Sequence, residues 1–381
     1  HMKTGYPNLS LLPKTADARQ GYEIVNEQFA GGLTGTIDVV VRLDKGTVAD
    51  AENLPKLYDL VRKLQADQSV DAVISHVSLK PDWDLARYED LYIKTPERLA
   101  PGESGLKLVM AGGGEGVRRL MPTLVNVDRG ANIARLIVVP KEGQDSPDTA
   151  RLVRRLRNDL LPGSESGLGQ ILVGGTPAQL VDFDTQLNRA MPRVITLVLV
   201  ITFLVLMLLL RSLVLPLKAI AMNLLSVGVA YGTLALVFEK GYLAGPLNFT
   251  PLGYVESTIV LILFAVLFGL SMDYEVFLLT RVKEKYEETG DNAEALASGL
   301  EHTAGIITGA ATIMVLVFGA FAFTGIITAK EFGFGLAIAV LADATLIRIL
   351  LVPALMRLAG DWNWRLPGWL ERILPRVEVK H

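Results

Sequence analysis

Residues 259–280 read IVLILFAVLFGLSMDYEVFLLT, an apolar stretch that contains one aspartate, Asp273. A run of about 20 apolar residues is long enough to cross the hydrocarbon core of a bilayer as a helix. A carboxylate at that depth costs about 3 kcal/mol on insertion scales, so acids inside spans are usually functional. The stretch therefore predicts a membrane helix in which Asp273 has a charge-handling role.

The second half of the chain contains further apolar runs of similar length. The most apolar of them, VITLVLVITFLVLMLLL (194–210), carries no charge and has no polar face, a composition unsuited to a soluble helix. We predict an α-helical membrane bundle over 191–360, followed by a cytoplasmic tail over 361–381. The five predicted spans lie at about 194–210, 213–238, 256–280, 303–328 and 332–358.

The mean hydropathy of +0.37 averages this apolar half with a charged first half, residues 1–190. Strands and helices alternate there, which predicts an α+β sandwich of ferredoxin-like type. Period-two alternation and β-branched content predict strands at 36–43, 70–79, 131–140 and 170–175, and helical spacing predicts helices at about 50–66, 147–161 and 177–191. Pro192 either starts the first span or kinks a continuous rod.

Composition excludes several classes of site. A net charge of −3 does not indicate a nucleic-acid partner, and the absence of cysteine excludes disulfides and thiolate metal sites. The four histidines share no ligand spacing, so we predict no metal and no cofactor. The segment LVMAGGGEGVRRLM (108–121) lacks a nucleotide-binding pattern; it is either a flexible loop or an anion site. An ion gradient is then the natural energy source.

The loops predict the orientation, because positive charge favours the cytoplasmic side. Three connections rich in lysine or arginine, those after the first, third and fifth spans, therefore lie inside. Residues 1–190 are then extracytoplasmic, which predicts that at least one span precedes them. Three tryptophans after the last span fit an interfacial anchor: Trp362, Trp364 and Trp369.

Three motifs occur in order along the membrane half: GLSMDYEVFLLTRVKE (269–284), HTAGIITGAATIMVLVFGAFAF (302–323) and LADATLIRILLVPALM (341–356). With them, essentially the whole chain resembles the MmpL branch of the resistance-nodulation-division transporters, the mycobacterial-membrane-protein-large lipid exporters. The resemblance implies the second half of a two-half exporter in the cytoplasmic membrane, with a porter-like outer domain and a lipid or other hydrophobic substrate. Its partner is the first half or another copy of the chain.

The same resemblance implies an intramembrane proton relay driven by the proton-motive force. It assigns Asp273 as the proton acceptor and Tyr274 as its hydrogen-bonding partner, with Glu275 as a further candidate. A matching Asp-Tyr pair is expected in the first half. The chemistry is sensible, because protonation removes a charge from the membrane interior and permits helices to repack.

Other polar side chains in the spans have two interpretations each. Asp343 is a relay group or a structurally paired acid. Arg348 lies five residues further on, about 140° around an α-helix, which argues against a simple pair between the two. Thr308 and Thr312 share a helix face and either support the relay or bond their own helix carbonyls.

Two further patterns concern packing. The pairs Gly305/Gly309 and Gly228/Gly232 have the spacing that permits close helix approach. A D-x-x-E capping box beginning at Asp291 predicts a short cytoplasmic helix before the fourth span.

Three functional classes follow. The first is a proton-coupled exporter of lipids or other hydrophobic molecules, which is not an enzyme. The second is an intramembrane aspartyl protease that uses Asp273 and Asp343, although the G-x-G-D context expected for that class is missing. The third is a non-transporting membrane scaffold or sensor, which predicts that Asp273→Asn is tolerated.

Overall fold

The computed structural model divides into two compact units, residues 15–183 and residues 1–14 together with 184–381. Each unit has its own apolar core. The residues that the structure describes are 2–5, 9–29, 31–80, 82–94, 115–144, 146–162, 167–367 and 370.

Strands and helices alternate in the first unit, and long helices dominate the second. Within the described residues the strands are β1 (Thr4–Gly5), β2 (Ile37–Leu43), β3 (Val70–Ile74), β4 (Ile133–Pro140), β5 (Gly169–Gly174) and β6 (Val255–Glu256). The α-helices are α1 (Asp17–Gln28), α2 (Asn53–Gln65), α3 (Leu85–Glu89), α4 (Glu115–Leu124), α5 (Pro147–Arg155), α6 (Thr176–Leu210), α7 (Val214–Leu234), α8 (Ser257–Thr289), α9 (Asn292–Phe321), α10 (Ile327–Ala342) and α11 (Val352–Ala359). Wider π-helical turns occur at Asp90–Lys94, Leu156–Leu160, Ala235–Glu239 and Asp343–Leu351.

The unit of residues 15–183 is built on a four-stranded antiparallel sheet with the strand order β3-β4-β2-β5. Helix α2 connects β2 to β3, and α5 lies between β4 and β5. Alternate residues of β2, such as Val39 and Val41, are fully buried against the same core as Leu54 and Leu57 of α2. The prediction of an α/β region with these four strands is confirmed.

One predicted strand is shorter than expected. The pattern predicts 70–79, whereas β3 ends at Ile74. The Ser78 hydroxyl donates to the Val73 carbonyl at 2.7 Å and accepts from the Ser75 backbone N–H at 2.8 Å. These local bonds favour a turn over further strand pairing.

Five helices of the described chain are long and apolar enough to cross a membrane, which confirms the predicted number of spans. Helix α6 continues through Pro192 without a break, in agreement with the continuous-rod alternative. The five segments are Thr176–Leu210, Val214–Glu239, Ser257–Thr289, Asn292–Phe321 and Ile327–Trp364.

The helix cap predicted at Asp291 is present, because its Oδ1 accepts from the backbone N–H groups of Ala293 at 2.7 Å and Glu294 at 3.2 Å. The separate short helix predicted after it is wrong. Helix α9 runs from this cap to Phe321 without interruption, since no proline occurs there to break it.

The last span changes its winding from α10 to the π-helical segment Asp343–Leu351 and back to α11. Pro353 stands at the start of α11. A proline there has no N–H to donate and its ring clashes with the carbonyl four residues earlier, and a wider π turn is one way to relieve both problems.

Trp364 has partners within its own unit, and its role as an interfacial anchor stays a prediction. Its indole N–H donates to Asn292 Oδ1 at 3.1 Å, and its ring stacks on Tyr286 with centroids 4.6 Å apart. Trp362 is 63% exposed, as an anchor requires. Trp369 lies outside the described residues, as do Gly112, Gly113 and Gly114 of the glycine-rich segment.

Candidate functional site

Helix α8 divides its polar side chains between two opposite faces. Ser271 and Glu275 are four residues apart and buried, at 6% and 5% exposure, on the same face as the buried Val282. Asp273 lies between them in sequence and is therefore about 200° around the helix from Ser271. It is exposed on the surface of its unit, whereas Glu275 points inward.

Asp343 and Arg348 form a buried ion pair, with the Arg348 guanidinium 2.9 Å from Asp343 Oδ2. The expectation that these two positions diverge around the helix is wrong. They lie in the π-helical segment, in which backbone bonds run to the residue five positions away. Residues five apart consequently stack on one face.

Two serines from neighbouring helices complete the bonding of Asp343. Ser271 on α8 donates to Oδ2 at 2.9 Å, and Ser226 on α7 donates to Oδ1 at 3.1 Å. Arg348 also donates to the Ser271 carbonyl at 3.0 Å. Neither serine was predicted from the sequence, although a hydroxyl inside an otherwise apolar span is a signal that could have identified them.

Tyr274 contacts this cluster from the side. The Arg348 guanidinium carbon lies 5.4 Å from the centroid of the Tyr274 ring, a cation–π distance. The Tyr274 hydroxyl is 3.5 Å from Met314 Sδ on α9. We call Ser226, Ser271, Tyr274, Asp343 and Arg348 the intramembrane cluster.

The cluster borders a small cavity of about 10 Å³ lined by Ser271, Tyr274, Asp343 and Arg348 among other residues. That volume holds about one water molecule. The cluster therefore has space for a single polar guest beside the ion pair.

Glu275 lies in a second environment. Its Oε2 is buried next to Asn223, and neither this oxygen nor Nδ2 of Asn223 has a hydrogen-bond partner of good geometry in the described part of the chain. Glu275, Met222 and Lys218 border another cavity of about 10 Å³. A carboxylate in these surroundings is costly to keep charged, which makes Glu275 a second buried acid with unsatisfied bonding capacity.

Asp273 differs from both acids, because no hydrogen bond or ion pair to it occurs within the described residues. The adjacent Tyr274 thus belongs to the intramembrane cluster, whereas Asp273 lies outside it. Asp343 is engaged by Arg348 and two serines, so Asp273 and Asp343 do not form the shared-proton pair of an aspartyl protease.

The two threonines of α9 are exposed and bond within their own helix. The Thr308 hydroxyl donates to the Ala304 carbonyl at 2.5 Å, and the Thr312 hydroxyl donates to the Thr308 carbonyl at 2.7 Å. This agrees with the helix-carbonyl alternative, and among the described residues neither threonine has a hydrogen bond to the intramembrane cluster. In the described ranges, no group of three His, Cys, Asp or Glu residues is placed to hold a metal ion.

Comparison with known proteins assigns the chain to a family. The model of the MMPL family matches residues 10–378. The chain is 46% identical over 213 residues to the heme uptake protein MmpL11 of Mycobacterium tuberculosis, which covers 56% of this chain and 22% of the relative. It is 39% identical over 250 residues to the trehalose monomycolate exporter MmpL3 of Mycolicibacterium smegmatis. The aligned region covers 66% of this chain and 24% of MmpL3.

A third relative matches throughout. The membrane protein YdfJ of Bacillus subtilis is 29% identical over 380 residues, which is 100% of this chain and 45% of YdfJ. The chain thus spans less than half the length of these curated relatives. With a family model that matches nearly its full length and five helices able to cross a membrane, this multi-pass membrane protein belongs to the MMPL family.

Proposed function

We propose that the chain is the C-terminal half of a proton-driven exporter that moves lipids or other hydrophobic molecules across the cytoplasmic membrane. The observation that carries the proposal is the position of Asp273, an acid without a partner on the exposed face of a membrane helix, directly beside Tyr274 of the intramembrane cluster. An unpaired acid on a membrane helix is costly unless it is used. The name of MmpL3 as a trehalose monomycolate exporter supports a lipid substrate.

In this proposal Asp273 binds and releases the proton, and Tyr274 transmits the change. A protonated Asp273 is neutral and can face apolar surroundings, whereas the carboxylate requires water or a polar partner. Tyr274 follows Asp273 on the same helix and touches Arg348, so a rotation of α8 would disturb the bonding of Asp343. Glu275 is a second proton site on the opposite face.

The remaining polar candidates have smaller roles. Asp343 and Arg348 hold α8 against the last span through the bonds to Ser271, and we propose that they support the relay by positioning α8. Thr308 and Thr312 are exposed on α9 and can reach the relay only if their helix or a partner moves.

The exposed Asp273 implies a missing surface. We propose that the other half of the transporter, or a second copy of this chain, covers this face and supplies the matching acid. The lengths of the relatives, each more than twice the matched region, support a partner half.

We further propose that the domain of residues 1–190 is a ferredoxin-like porter domain outside the cell membrane and that the C-terminus is cytoplasmic. The antiparallel order β3-β4-β2-β5, with α2 after β2 and α5 after β4, supports a ferredoxin-like topology. Arg281, Lys283 and Lys285 at the end of α8 support the orientation.

A second candidate cargo is heme, since the relative MmpL11 of Mycobacterium tuberculosis is named a heme uptake protein. A non-transporting scaffold or sensor is the third alternative. It predicts that the charge of Asp273 has no consequence for transport.

The test is export by the assembled transporter with Asp273→Asn in this chain. Asn is nearly isosteric but cannot carry the proton, so we expect export driven by a pH gradient to fall to background while expression persists. Glu287→Gln, at the exposed inner end of the same helix, is the matched control and should export normally. Normal export by Asp273→Asn would refute the relay.

A further inference from the structure

A large groove runs between the inner ends of α8 and α9. Its volume is about 490 Å³, and its lining includes Phe277, Ser298, His302 and Ile306. A water molecule occupies about 30 Å³ of liquid, so the groove has room for roughly ten or more waters. It is far larger than the two cavities beside the buried acids.

The groove leads toward Asp273. Phe277 lines it and is one helical turn from Asp273, and Arg281, Glu284 and Glu288 continue the same face of α8 toward the end of the helix. Residues spaced by three and four positions share a helix face. Phe277 is twelve residues before the end of α8, so the groove extends about 18 Å along the helix and stops one turn short of Asp273.

Among the ionisable side chains that line the groove, His302 has no ion pair in the part of the chain that the structure describes. Glu284 is bound by Arg281 at 2.9 Å and Glu288 by Lys285 at 3.0 Å. His302 makes a different contact, with Nδ1 2.8 Å from the Ser298 carbonyl. A carbonyl only accepts, so Nδ1 carries the hydrogen and Nε2 is left to accept a proton.

We propose that this groove is the aqueous route by which protons leave Asp273 toward the cytoplasm, with Nε2 of His302 as the proton-accepting group midway along its α9 lining. The Asp273 carboxyl passes its proton to water that bridges the one helical turn between it and the groove, His302 accepts this proton and becomes an imidazolium, and Nε2 then returns the proton to bulk water. Phe277 and Ile306 line the end of the groove that is nearer Asp273. The inference rests on the proposed relay at Asp273 and adds the direction and path of release.

The first arm of the test uses the absence of cysteine from the chain. Phe277→Cys and Ser298→Cys are labelled in inside-out vesicles with a charged, membrane-impermeant methanethiosulfonate, which reacts only with a hydrated thiolate. Leu346→Cys is the control: it is 60% exposed and, like Phe277, about twenty residues from the start of its helix. The two helix starts are neighbours, because Glu331 accepts from the Glu256 N–H.

We expect both groove cysteines to react at least about ten-fold faster than Leu346→Cys, which is exposed on an apolar face of its segment. If Phe277→Cys is as unreactive as Leu346→Cys while Ser298→Cys reacts, then lipid fills the groove above its mouth and the inference is wrong.

The second arm measures export by the assembled transporter with Ser298→Trp, which fills the groove, and with Ala297→Trp, which is exposed on the adjacent face. We expect loss of export only for Ser298→Trp. If Ser298→Trp exports normally although Phe277→Cys is labelled, the groove is hydrated but is not the route. Failure of the relay itself gives a different result, since Asp273→Asn would then export normally whatever the labelling shows.

Discussion

His76, which follows β3, is fully buried, and neither ring nitrogen has a hydrogen-bond partner of good geometry among the described residues. Burial lowers its pKa from 6.5 to about 4, against a smaller opposing effect of the Val48 backbone. The Tyr92 ring lies edge-on at 6.0 Å. The folded domain therefore holds a neutral imidazole.

The consequence is a stability that depends on pH. Between pH 6.5 and about 4 the unfolded chain binds a proton at His76 and the folded chain does not, so stability is complete above this window and is lost as the pH falls through it. The loss reaches about 2 kcal/mol by pH 5. Hydrogen exchange of β2 and β4, corrected for intrinsic rates, should show about 20-fold less protection at pH 5 than at pH 7.

His76→Leu removes the titrating group and should abolish most of this pH dependence. His302→Gln, at an exposed position, should retain it. An unchanged pH dependence in His76→Leu would assign the effect to other groups.

At the same scale, the sequence identified the charged residues of the membrane unit but not their partners. Asp343 and Arg348 are both visible as charges within an apolar span. Their pairing depends on the π-helical winding of Asp343–Leu351. On a regular α-helix, residues five positions apart are separated by about 140°, which predicts that the two side chains do not pair. Local winding is decided by tertiary packing and by Pro353, neither of which a regular helical wheel includes.

At the scale of the helices, small residues determine how closely neighbours approach. A Cβ added to Gly333 on α10 would lie 2.5 Å from the Phe318 carbonyl oxygen and 2.3 Å from Phe321 Cβ on α9. Gly305 and Gly309 have the spacing expected for close packing, yet a Cβ added to either would meet no atom of another described helix within 4 Å. The spacing alone therefore selected the wrong glycines, because it does not show which face meets another helix.

Gly333→Ala should destabilise the membrane unit by about 1–3 kcal/mol, because backbone atoms of α9 must move to accept the methyl group. Gly309→Ala should leave stability unchanged or raise it by up to about 1 kcal/mol through helix propensity. The midpoint of heat-induced aggregation in detergent, followed by size-exclusion chromatography, measures both. Equal midpoints for the two variants would contradict the close approach of α9 and α10.

Element boundaries show the same limit of sequence reasoning. The five spans and four sheet strands follow from hydropathy and alternation, because burial in lipid or in a core selects those residue types. The first and last residues of the elements cannot be predicted from hydropathy and alternation. Strand β3 ends before the turn in which Ser78 bonds the Val73 carbonyl, and α9 begins eleven residues before the predicted span, at the Asp291 cap.

At the scale of the whole chain, the last turn of the fifth apolar segment, Gly360–Trp364, bonds neighbouring parts of the membrane unit. Asn363 is fully buried; its Nδ2 donates to the Met356 carbonyl at 2.7 Å, and its Oδ1 accepts from Lys218 of α7 at 2.6 Å. Its backbone carbonyl accepts from Ser212 at 2.5 Å. A polar residue beyond the last apolar run gives no sequence signal for such a role.

A chain ended after Pro367 keeps these bonds, whereas one ended after Ala359 loses them. Each of these bonds contributes about 1 kcal/mol, and without Asn363 the partly buried Lys218 ammonium keeps only its bond to the Leu355 carbonyl. We expect a clearly lower midpoint of heat-induced aggregation in detergent for the shorter chain and for Asn363→Ala.

Asn363→Asp keeps the Oδ oxygens that accept from Lys218 but cannot donate to Met356, so its midpoint should fall between those of Asn363→Ala and the full chain. If the chain ended after Ala359 keeps the full midpoint, the segment Gly360–Trp364 packs against the bundle without holding it together.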